Sequence, residues 1–363
     1  MTASPVADCA RIRLADLNDP ADCAAITRFL DAHPQATPFH QPEWLRAVEQ
    51  STGSRARVLV ADQPGSAGAG ARNASAITAI LPLSEIHSPI FGRMLAATGF
   101  AVGGGQLGED AGLIPAAEAL AVRLSCPTIE LRGGPLPEGH GWRKSLHSHW
   151  GFAGPLEADD ERQLLAIPRK QRAEVRKGLA EDLEVVVGRS DRDRDEHYAM
   201  YSESLRNLGT PVFPRPMFDA MLDEFGDTAD ILTVRHRHRP VASVLSLYWR
   251  GTVMPYWGGG TRAARKLRAN DRMYFELMRH ARARGCNRFD FGRSKTGSGA
   301  WHFKRNWGFT PEPLAYATWT APGSPQRDAD PTSSKLAWQI AVWRRLPLPV
   351  ANTIGPWISR GLG

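Results

Sequence analysis

The 363-residue sequence predicts an α/β protein that contains two tandem copies of one structural unit. Its second half reads as strand, two helices, three strands, helix and strand, and its first half shows a similar order. Three glycines close the segment before the late helix of each half, at residues 103–105 and 258–260. Residues 125–131 resemble residues 285–291, and in both a cysteine precedes an acid by four residues. A repeat of this size indicates a duplicated fold.

The second half has the clearer pattern. Apolar β-branched runs predict strands, and apolar residues on one helical face predict helices. The predicted strands are residues 183–187, 231–235, 241–248, 253–257 and 287–291, and the predicted helices are residues 191–208, 214–225 and 269–284. The late helix has Met273, Leu277 and Ala281 on one face, as an amphipathic helix requires.

The first half gives weaker signals in a similar order. Helices are predicted at residues 21–30, 42–50 and 115–124, strands at 57–61, 76–82 and 128–131, and a Gly/Ala-rich loop at 64–75. We therefore predict a first half over residues 1–150, a second half over 151–320, and a boundary near 151–160. A basic, tryptophan-containing tail follows over residues 321–363, and it opens with a linker composition.

Composition narrows the class of protein. A hydrophobic content of 42% and a charged content of 23% are typical of a globular protein, and no apolar run is long enough to cross a bilayer. The first residues lack the pattern of a signal peptide, and the four cysteines form no CxxC pair, so we expect reduced thiols and a cytoplasmic location.

The net charge of +7 favours anionic partners. His140, His147 and His149 have no companion at metal spacing, so no metal site is expected.

A cluster of cations at residues 169–177 is the first candidate binding motif. On a helix, Arg169, Arg172 and Arg176 share one face, and Lys170 adds to the charge. Guanidinium groups match phosphate oxygens, which favours a diphosphate-bearing or nucleic-acid ligand. The alternative is a solvated basic face that Lys170 and Glu174 partly balance.

A second motif lies at residues 288–309, where an acid, a basic glycine-rich turn and a lysine follow a short strand. Asp290 could orient or deprotonate an amine, or simply pair with Arg293. Lys304 lies among aromatic residues and could stabilise an oxyanion during acyl transfer, or extend from a packed helix into solvent. Arg293, Lys295 and Tyr256 are further candidates for substrate binding. No GxSxG motif is present, which disfavours a covalent hydrolase.

Five stretches resemble the FemAB-type aminoacyltransferases, which have tandem GNAT folds. The likeness is strongest to the FemAB-like proteins of the PEP-CTERM/exosortase system of Gram-negative bacteria that produce exopolysaccharide. The matching stretches are residues 33–40, 90–94, 130–132, 167–178 and 289–314. The resemblance implies two GNAT-like halves, each with a mixed central sheet flanked by helices.

The resemblance also implies an activity. Such enzymes transfer an acyl or aminoacyl group to an amine, without a bound cofactor, and the donor is a co-substrate, aminoacyl-tRNA or acyl-CoA. The family's functional lysine, in a late Phe-Lys motif, falls on Lys304. Two departures are visible: the coiled-coil arm of some Fem proteins is missing, and residues 261–270 lack the glycine-rich pyrophosphate loop of acetyl-CoA-dependent GNATs.

Three functional hypotheses follow. The first is N-acyl or aminoacyl transfer to a cell-envelope or exopolysaccharide-related acceptor, with phosphate held by the cationic helix and tRNA as one donor. The second is an acetyltransferase that uses acyl-CoA. The third is a non-catalytic protein that binds polyanions or a membrane surface. The tail carries five Lys or Arg against two Asp, so it could either lie on an anionic inner membrane or pack back on the protein.

Overall fold

A computed structural model describes residues 11–63, 76–109, 112–325, 327 and 337–363. The N-terminal residues 1–10, the predicted loop at 64–75 and part of the predicted linker lie outside the described residues. The strands are β1 (Arg11–Ala15), β2 (Arg55–Asp62), β3 (Ile77–Ser88), β4 (Gly92–Ala97), β5 (Thr128–Arg132), β6 (Trp142–Ser145), β7 (His149–Pro155), β8 (Glu184–Gly188), β9 (Ala229–His236), β10 (Arg239–Trp249), β11 (Thr252–Gly260), β12 (Arg288–Lys295), β13 (Pro311–Pro313) and β14 (Tyr316–Thr320).

The α-helices cover the sheets and have the following bounds. They are α1 (Pro20–Ala32), α2 (Pro42–Thr52), α3 (Leu113–Arg123), α4 (Asp160–Ala166), α5 (Arg169–Ala180), α6 (Asp191–Leu208), α7 (Arg215–Phe225), α8 (Arg262–Lys266), α9 (Ala269–Ala283), α10 (Gly299–Asn306), α11 (Ala337–Trp343) and α12 (Leu348–Ser359). Short 3-10 turns occur at Pro38–His40 and Gly226–Thr228.

The chain forms two compact units. The first contains residues up to 145, residues 315–328 and residue 363, and the second contains residues 146–314 and 329–362. The predicted halves were residues 1–150 and 151–320, with a separate tail from 321. In space, the end of the predicted first half and most of the tail lie in the second unit, and residues 315–320 lie in the first.

The sheet of the first unit has the order β1-β2-β3-β4-β5-β14-β6. Its neighbours are antiparallel except β4 and β5, which pair in parallel over four residues from Met94 to Ala97. Apolar residues of β2, β3, β4 and β5 pack with those of α3 in one core. The buried aliphatic runs of β3 explain why this strand lies inside the sheet and not at its edge.

The sheet of the second unit has the order β8-β9-β10-β11-β12-β7-β13. Its neighbours are also antiparallel except β11 and β12. The predicted α9 packs the face that carries Met273, Leu277 and Ala281 into the core of this unit. Helix α6 begins at a capping box between Ser190 and Asp193 and ends at Gly209, whose backbone is left-handed.

The two sheets have the same order of equivalent strands, so the predicted tandem duplication is confirmed. Strands β1 to β5 correspond to β8 to β12, and edge strand β6 corresponds to β13. The remaining place in each sheet is filled by β14 beside β5 and by β7 beside β12. Strand β14 comes from outside the main segment of its unit, whereas β7 lies at the start of the main segment of the second unit. Each sheet contains one parallel pair among antiparallel pairs, so both sheets are mixed, as predicted.

Candidate active site

The second sheet opens between its two parallel strands. β11 and β12 pair only through Thr252 with Arg288 and Val253 with Phe289. Beyond these residues the strands separate, whereas β4 and β5 of the first unit stay paired over four residues. The carboxyl ends of parallel strands are where α/β folds place ligands. The opening in the second unit is therefore the candidate active site.

One side of the opening is formed by an irregular part of β11. Leu245 pairs with Trp257 and Ser246 with Pro255, so Tyr256 is an extra residue in a β-bulge. The predicted binding residue Tyr256 is half-buried, and its ring meets that of Trp257 edge to face at 4.6 Å. Bulges redirect side chains beside active sites, and this one lies three residues beyond Val253, the last residue of β11 in a parallel pair.

The glycines that end β11 are required by helix packing. A Cβ atom at Gly259 would lie 2.7 Å from Ser204 Cβ of α6. At Gly260 it would lie 2.4 Å from Asn270 Oδ1 of α9. Side chains of α6 and α9 thus fill the space beside both glycines. Because glycine has no Cβ atom, these two helices can approach the end of β11 closely.

The other side of the opening carries Asp290. Its Oδ1 accepts a hydrogen bond of 2.8 Å from the backbone N–H of Gly292, whose φ of 68° lies in the left-handed region. The register of β12 against β7 shifts between Asp290 and Arg293, so this turn is a second bulge. The backbone of this turn therefore holds one oxygen of the acid.

Lys304 reaches β12 from the short helix α10. Ser298 caps this helix, since its hydroxyl accepts from the N–H of Trp301 at 3.2 Å. The Nζ atom of Lys304 donates a hydrogen bond of 2.8 Å to the carbonyl of Arg293. It also lies 5.7 Å from the ring centre of Phe152 and 5.9 Å from that of Phe291. A charge-assisted bond and two aromatic faces thus hold the ammonium group, each contributing about 1 kcal/mol or more.

Lys304 and Asp290 influence each other electrostatically. Burial lowers the pKa of Lys304 to about 8, although the Asp290 carboxylate opposes that shift. Burial raises the pKa of Asp290, with the Gly292 hydrogen bond and Lys304 opposing it. A cation and an acid with shifted pKa values in one opening are typical of a site for acid–base or electrostatic catalysis.

The predicted cationic helix is confirmed as α5. A cavity of about 540 Å³ lies along its outer face and is lined by Arg169, Arg172, Ala173, Arg176, Lys177 and Ala180. These residues follow helical spacing, so they form one stripe, called here the basic groove. Lys170 is exposed but does not line it, and Glu174 pairs with Lys177 and Arg268. The alternative interpretation requires an ion pair between Lys170 and Glu174. The described ion pairs do not include one.

The inner face of α5 packs on α9. Gln171 donates to Asp271 Oδ1 at 2.6 Å, and Val175 is fully buried. Arg172 bonds to the carbonyls of Ile167 and Leu165 near the end of α4, each at 3.0 Å. Its guanidinium therefore helps to fix the α4–α5 turn, which sequence spacing could not indicate. Arg169 and Arg176 are exposed and remain the better candidates for ligand contact.

The sequence-predicted residues lie in three places. Asp290, Arg293, Lys295 and Lys304 lie on β12 and α10, and Tyr256 lies on β11 across the opening. Arg169, Lys170, Arg172 and Arg176 share α5. The turn after α10 lies close to the start of α5, because a Cβ atom at Gly308 would be 2.9 Å from Pro168.

Two residues near the opening were not predicted. Phe152 of β7 is fully buried and faces Lys304, and the alternation of Trp150, Phe152 and Gly154 was the only signal of this strand. Glu203 of α6 accepts a hydrogen bond of 3.3 Å from the N–H of Arg262, at the start of α8. No sequence pattern links Glu203 to residue 262.

One group in the first unit has side chains of metal-binding type. Glu85, His87 and Cys126 lie within reach of one another. Glu85 pairs with Arg57 at 2.8 Å, however, and Arg93 Nε lies 3.2 Å from His87 Nε2. Two guanidinium groups at the same atoms disfavour a cation, so we assign this group to the ion-pair network of the sheet.

Comparisons with known proteins agree with this fold. Residues 169–305, which carry α5, β11, β12 and α10, match the family model described as an acetyltransferase (GNAT) domain. The search of curated proteins finds no match to this sequence. The segment that resembles a GNAT domain therefore lies within the second unit.

Solved structures resemble nearly the whole chain. FemX has a TM-score of 0.59 at 13% identity, over 81% of this chain and 95% of that chain. A tandem GNAT protein from the clavulanic acid biosynthesis pathway has a TM-score of 0.54 at 11% identity, over 87% and 99%. The C-terminal domain of a putative lysylphosphatidylglycerol synthetase from Agrobacterium fabrum has a TM-score of 0.51 at 13% identity, over 82% and 91%. At these identities the likeness establishes the tandem GNAT fold. None of the described helices is long and apolar enough to span a membrane.

Proposed function

We propose that this protein is an N-acyltransferase or aminoacyltransferase that acts on an amine of a cell-envelope or exopolysaccharide-related acceptor, as in the PEP-CTERM-associated FemAB-like proteins. The observation that carries the proposal is the pair Lys304 and Asp290 at the opening between β11 and β12. The GNAT domain match and the fold shared with FemX support it.

The proposed reaction needs a base and an oxyanion partner. The amine nitrogen attacks the acyl carbon, a C–N bond forms, and the C–O or C–S bond to the donor breaks. Asp290 positions the amine and accepts its proton, and its raised pKa makes it a stronger base than an exposed carboxylate. Lys304 stabilises the negative oxygen of the tetrahedral intermediate. The leaving oxygen or sulfur takes a proton as the donor departs.

Binding of the acceptor is proposed for the basic groove. Arg169 and Arg176 are exposed on one stripe, as a phosphate-bearing ligand requires. Lys170 and Arg172 add positive potential, and Tyr256, Arg293 and Lys295 contact the reacting part of the substrate. If the protein transfers no acyl group, the basic groove favours the alternative of a non-catalytic polyanion-binding protein.

The donor is either aminoacyl-tRNA or acyl-CoA. A yeast N-myristoyltransferase of similar fold, with a TM-score of 0.51 at 10% identity, is described with bound myristoyl-CoA, which favours an acyl-CoA. Two contacts favour a donor without a diphosphate at the end of β11. The Glu203 carboxylate occupies the N–H of Arg262, and side chains fill the space beside Gly259 and Gly260. An anionic diphosphate would be repelled by that carboxylate.

A donor screen tests the proposal directly. The full chain is incubated with acetyl-CoA, longer acyl-CoAs or charged tRNA, together with amine-bearing saccharide precursors linked to nucleotide or lipid diphosphates. Mass spectrometry then detects the N-acylated product. Product formed from charged tRNA identifies aminoacyl-tRNA as the donor, and product formed from an acyl-CoA identifies acyl-CoA as the donor. Binding that falls with salt, with no product from any donor, contradicts catalysis and supports the polyanion-binding alternative.

Lys304 provides the matched test of the site. Lys304→Met should lower kcat by about 100-fold or more, since one oxyanion donor is lost. Lys144→Met, which breaks an exposed ion pair with Glu138, should leave kcat unchanged. Equal turnover of Lys304→Met and the wild type would remove Lys304 from the mechanism.

A further inference from the structure

The last helix of the chain packs in an unusual orientation. Helix α12 buries its small residues, Ala351, Gly355 and Ser359, which recur every four positions. A Cβ atom at Gly355 would lie 2.9 Å from the backbone nitrogen of Val212, and the Ser359 hydroxyl donates to the carbonyl of Val212 at 2.9 Å. The small face is therefore fixed against the second unit.

The opposite face of α12 displays large apolar side chains. Val350, Ile354 and Trp357 have exposed fractions of 40%, 41% and 56%. Their spacing of four and three residues places them on one stripe of the helix. A helix that only packed against the protein would bury these large residues and expose its small ones. The folded core therefore gives no reason for this stripe.

Cations surround the apolar stripe. Arg344 and Arg345 precede α12, and Arg360 follows it, and all three are exposed. No acidic residue lies between residues 340 and 363. The exposed tryptophan has an apolar ring and a polar N–H, the combination found at the boundary between lipid headgroups and hydrocarbon.

We propose that the face of α12 with Val350, Ile354 and Trp357 docks on an anionic lipid bilayer surface. The apolar stripe enters the headgroup boundary, and Arg344, Arg345 and Arg360 contact lipid phosphates. The positive charges favour an anionic bilayer over a second copy of the chain. In a symmetric dimer the same arginines of both copies would lie close together and repel each other. The inference does not depend on the reaction proposed above.

Vesicle co-sedimentation tests the proposal with the full chain. Vesicles of phosphatidylglycerol and phosphatidylcholine in equal parts should retain the protein, and vesicles of phosphatidylcholine alone should retain much less. The triple variant V350S/I354S/W357S should bind the mixed vesicles about tenfold less, since it removes the buried apolar area. The variant R345Q/R360Q should reduce binding and weaken its dependence on salt.

A matched control separates this stripe from exposed apolar residues in general. Val122, Leu165 and Val187 have exposed fractions of 64%, 54% and 41% but lie on three different elements. The variant V122S/L165S/V187S should bind vesicles as the wild type does. Equal binding of the wild type and V350S/I354S/W357S, or no retention of either, would overturn the proposal. A dimer in sedimentation velocity that dissociates in that triple variant would also overturn it, in favour of self-association.

Discussion

At the scale of single residues, the proposed role of Lys304 predicts an activity that depends on pH. Burial lowers its pKa to about 8, so the side chain is mostly protonated at pH 7 and loses its charge as pH rises through about 8. An oxyanion partner must be positive, so kcat should fall over that range. Lys304→Arg keeps the charge at higher pH, and its pH–rate profile should lack this fall. An identical fall in both enzymes would assign it to another group.

Duplication provides an internal comparison for Asp290. Its counterpart Glu130 accepts from Arg132 at 2.7 Å, and Arg132 is almost fully buried. Asp290 instead accepts only a backbone N–H among its described hydrogen bonds. The acid of the first unit is therefore committed to a structural ion pair, and that of the second is available for chemistry.

The two acids should respond differently to neutralisation. Asp290→Asn should lower kcat by about 100-fold or more while the melting temperature changes little. Glu130→Gln should leave kcat nearly unchanged and lower the free energy of unfolding by about 1–3 kcal/mol, because a buried guanidinium loses its charged partner. Steady-state rates and urea unfolding measure both. The reverse pattern would place the chemistry in the first unit.

At the scale of elements, α5 should control affinity for a phosphate-bearing acceptor. Arg169→Gln with Arg176→Gln removes two charges from the basic groove but leaves Arg172, which fixes the α4–α5 turn. We expect KM for the acceptor to rise about tenfold or more and to depend less on salt, with kcat nearly unchanged. Arg28→Gln with Arg123→Gln removes the same charge from exposed positions on α1 and α3. If both variants raise KM equally, general charge explains binding and the groove does not.

Elements with strong periodicity could be predicted from the sequence. The spacing of residues 191–208 matched α6 at both ends, because a capping serine and a terminal glycine delimit it. Strands β1, β4, β6, β7, β13 and β14 were not predicted, and three of them, β1, β6 and β13, lie at sheet edges. β6, with the sequence Trp-Arg-Lys-Ser, has no apolar alternation at all. Its pairing with β14 is decided by tertiary contacts.

At the scale of the whole molecule, duplication was visible in the sequence but the placement of β7 and β14 was not. Both strands pair with partners distant along the chain, and local patterns carry no information on such pairing. This affects the site, because Phe152 of β7 packs beside Lys304. The sequence places aromatic neighbours of Lys304 along the chain, while its contact with Phe152 required the fold.

Each unit also contains one buried histidine, and both should make the protein less stable in acid. His197 of the second unit is fully buried against Ser243 and Tyr201, and burial lowers its pKa to about 3. Burial lowers the pKa of His40 in the first unit to about 4. In the unfolded chain both histidines have pKa values near 6.5. At a pH between the folded and unfolded pKa values, the unfolded state therefore binds more protons, and a fall in pH favours unfolding.

The expected loss can be measured histidine by histidine. As pH falls below 6, each of the two buried histidines should reduce the free energy of unfolding by about 1.4 kcal/mol per pH unit. His197→Phe cannot bind a proton, so its stability in urea should fall less steeply between pH 6 and pH 4 than that of the wild type, whatever its stability at pH 7. His238→Phe, at an exposed turn, should keep the wild-type slope. A wild-type slope in His197→Phe would mean that His197 is already protonated in the folded protein, and its burial against Ser243 and Tyr201 would then need a charged partner.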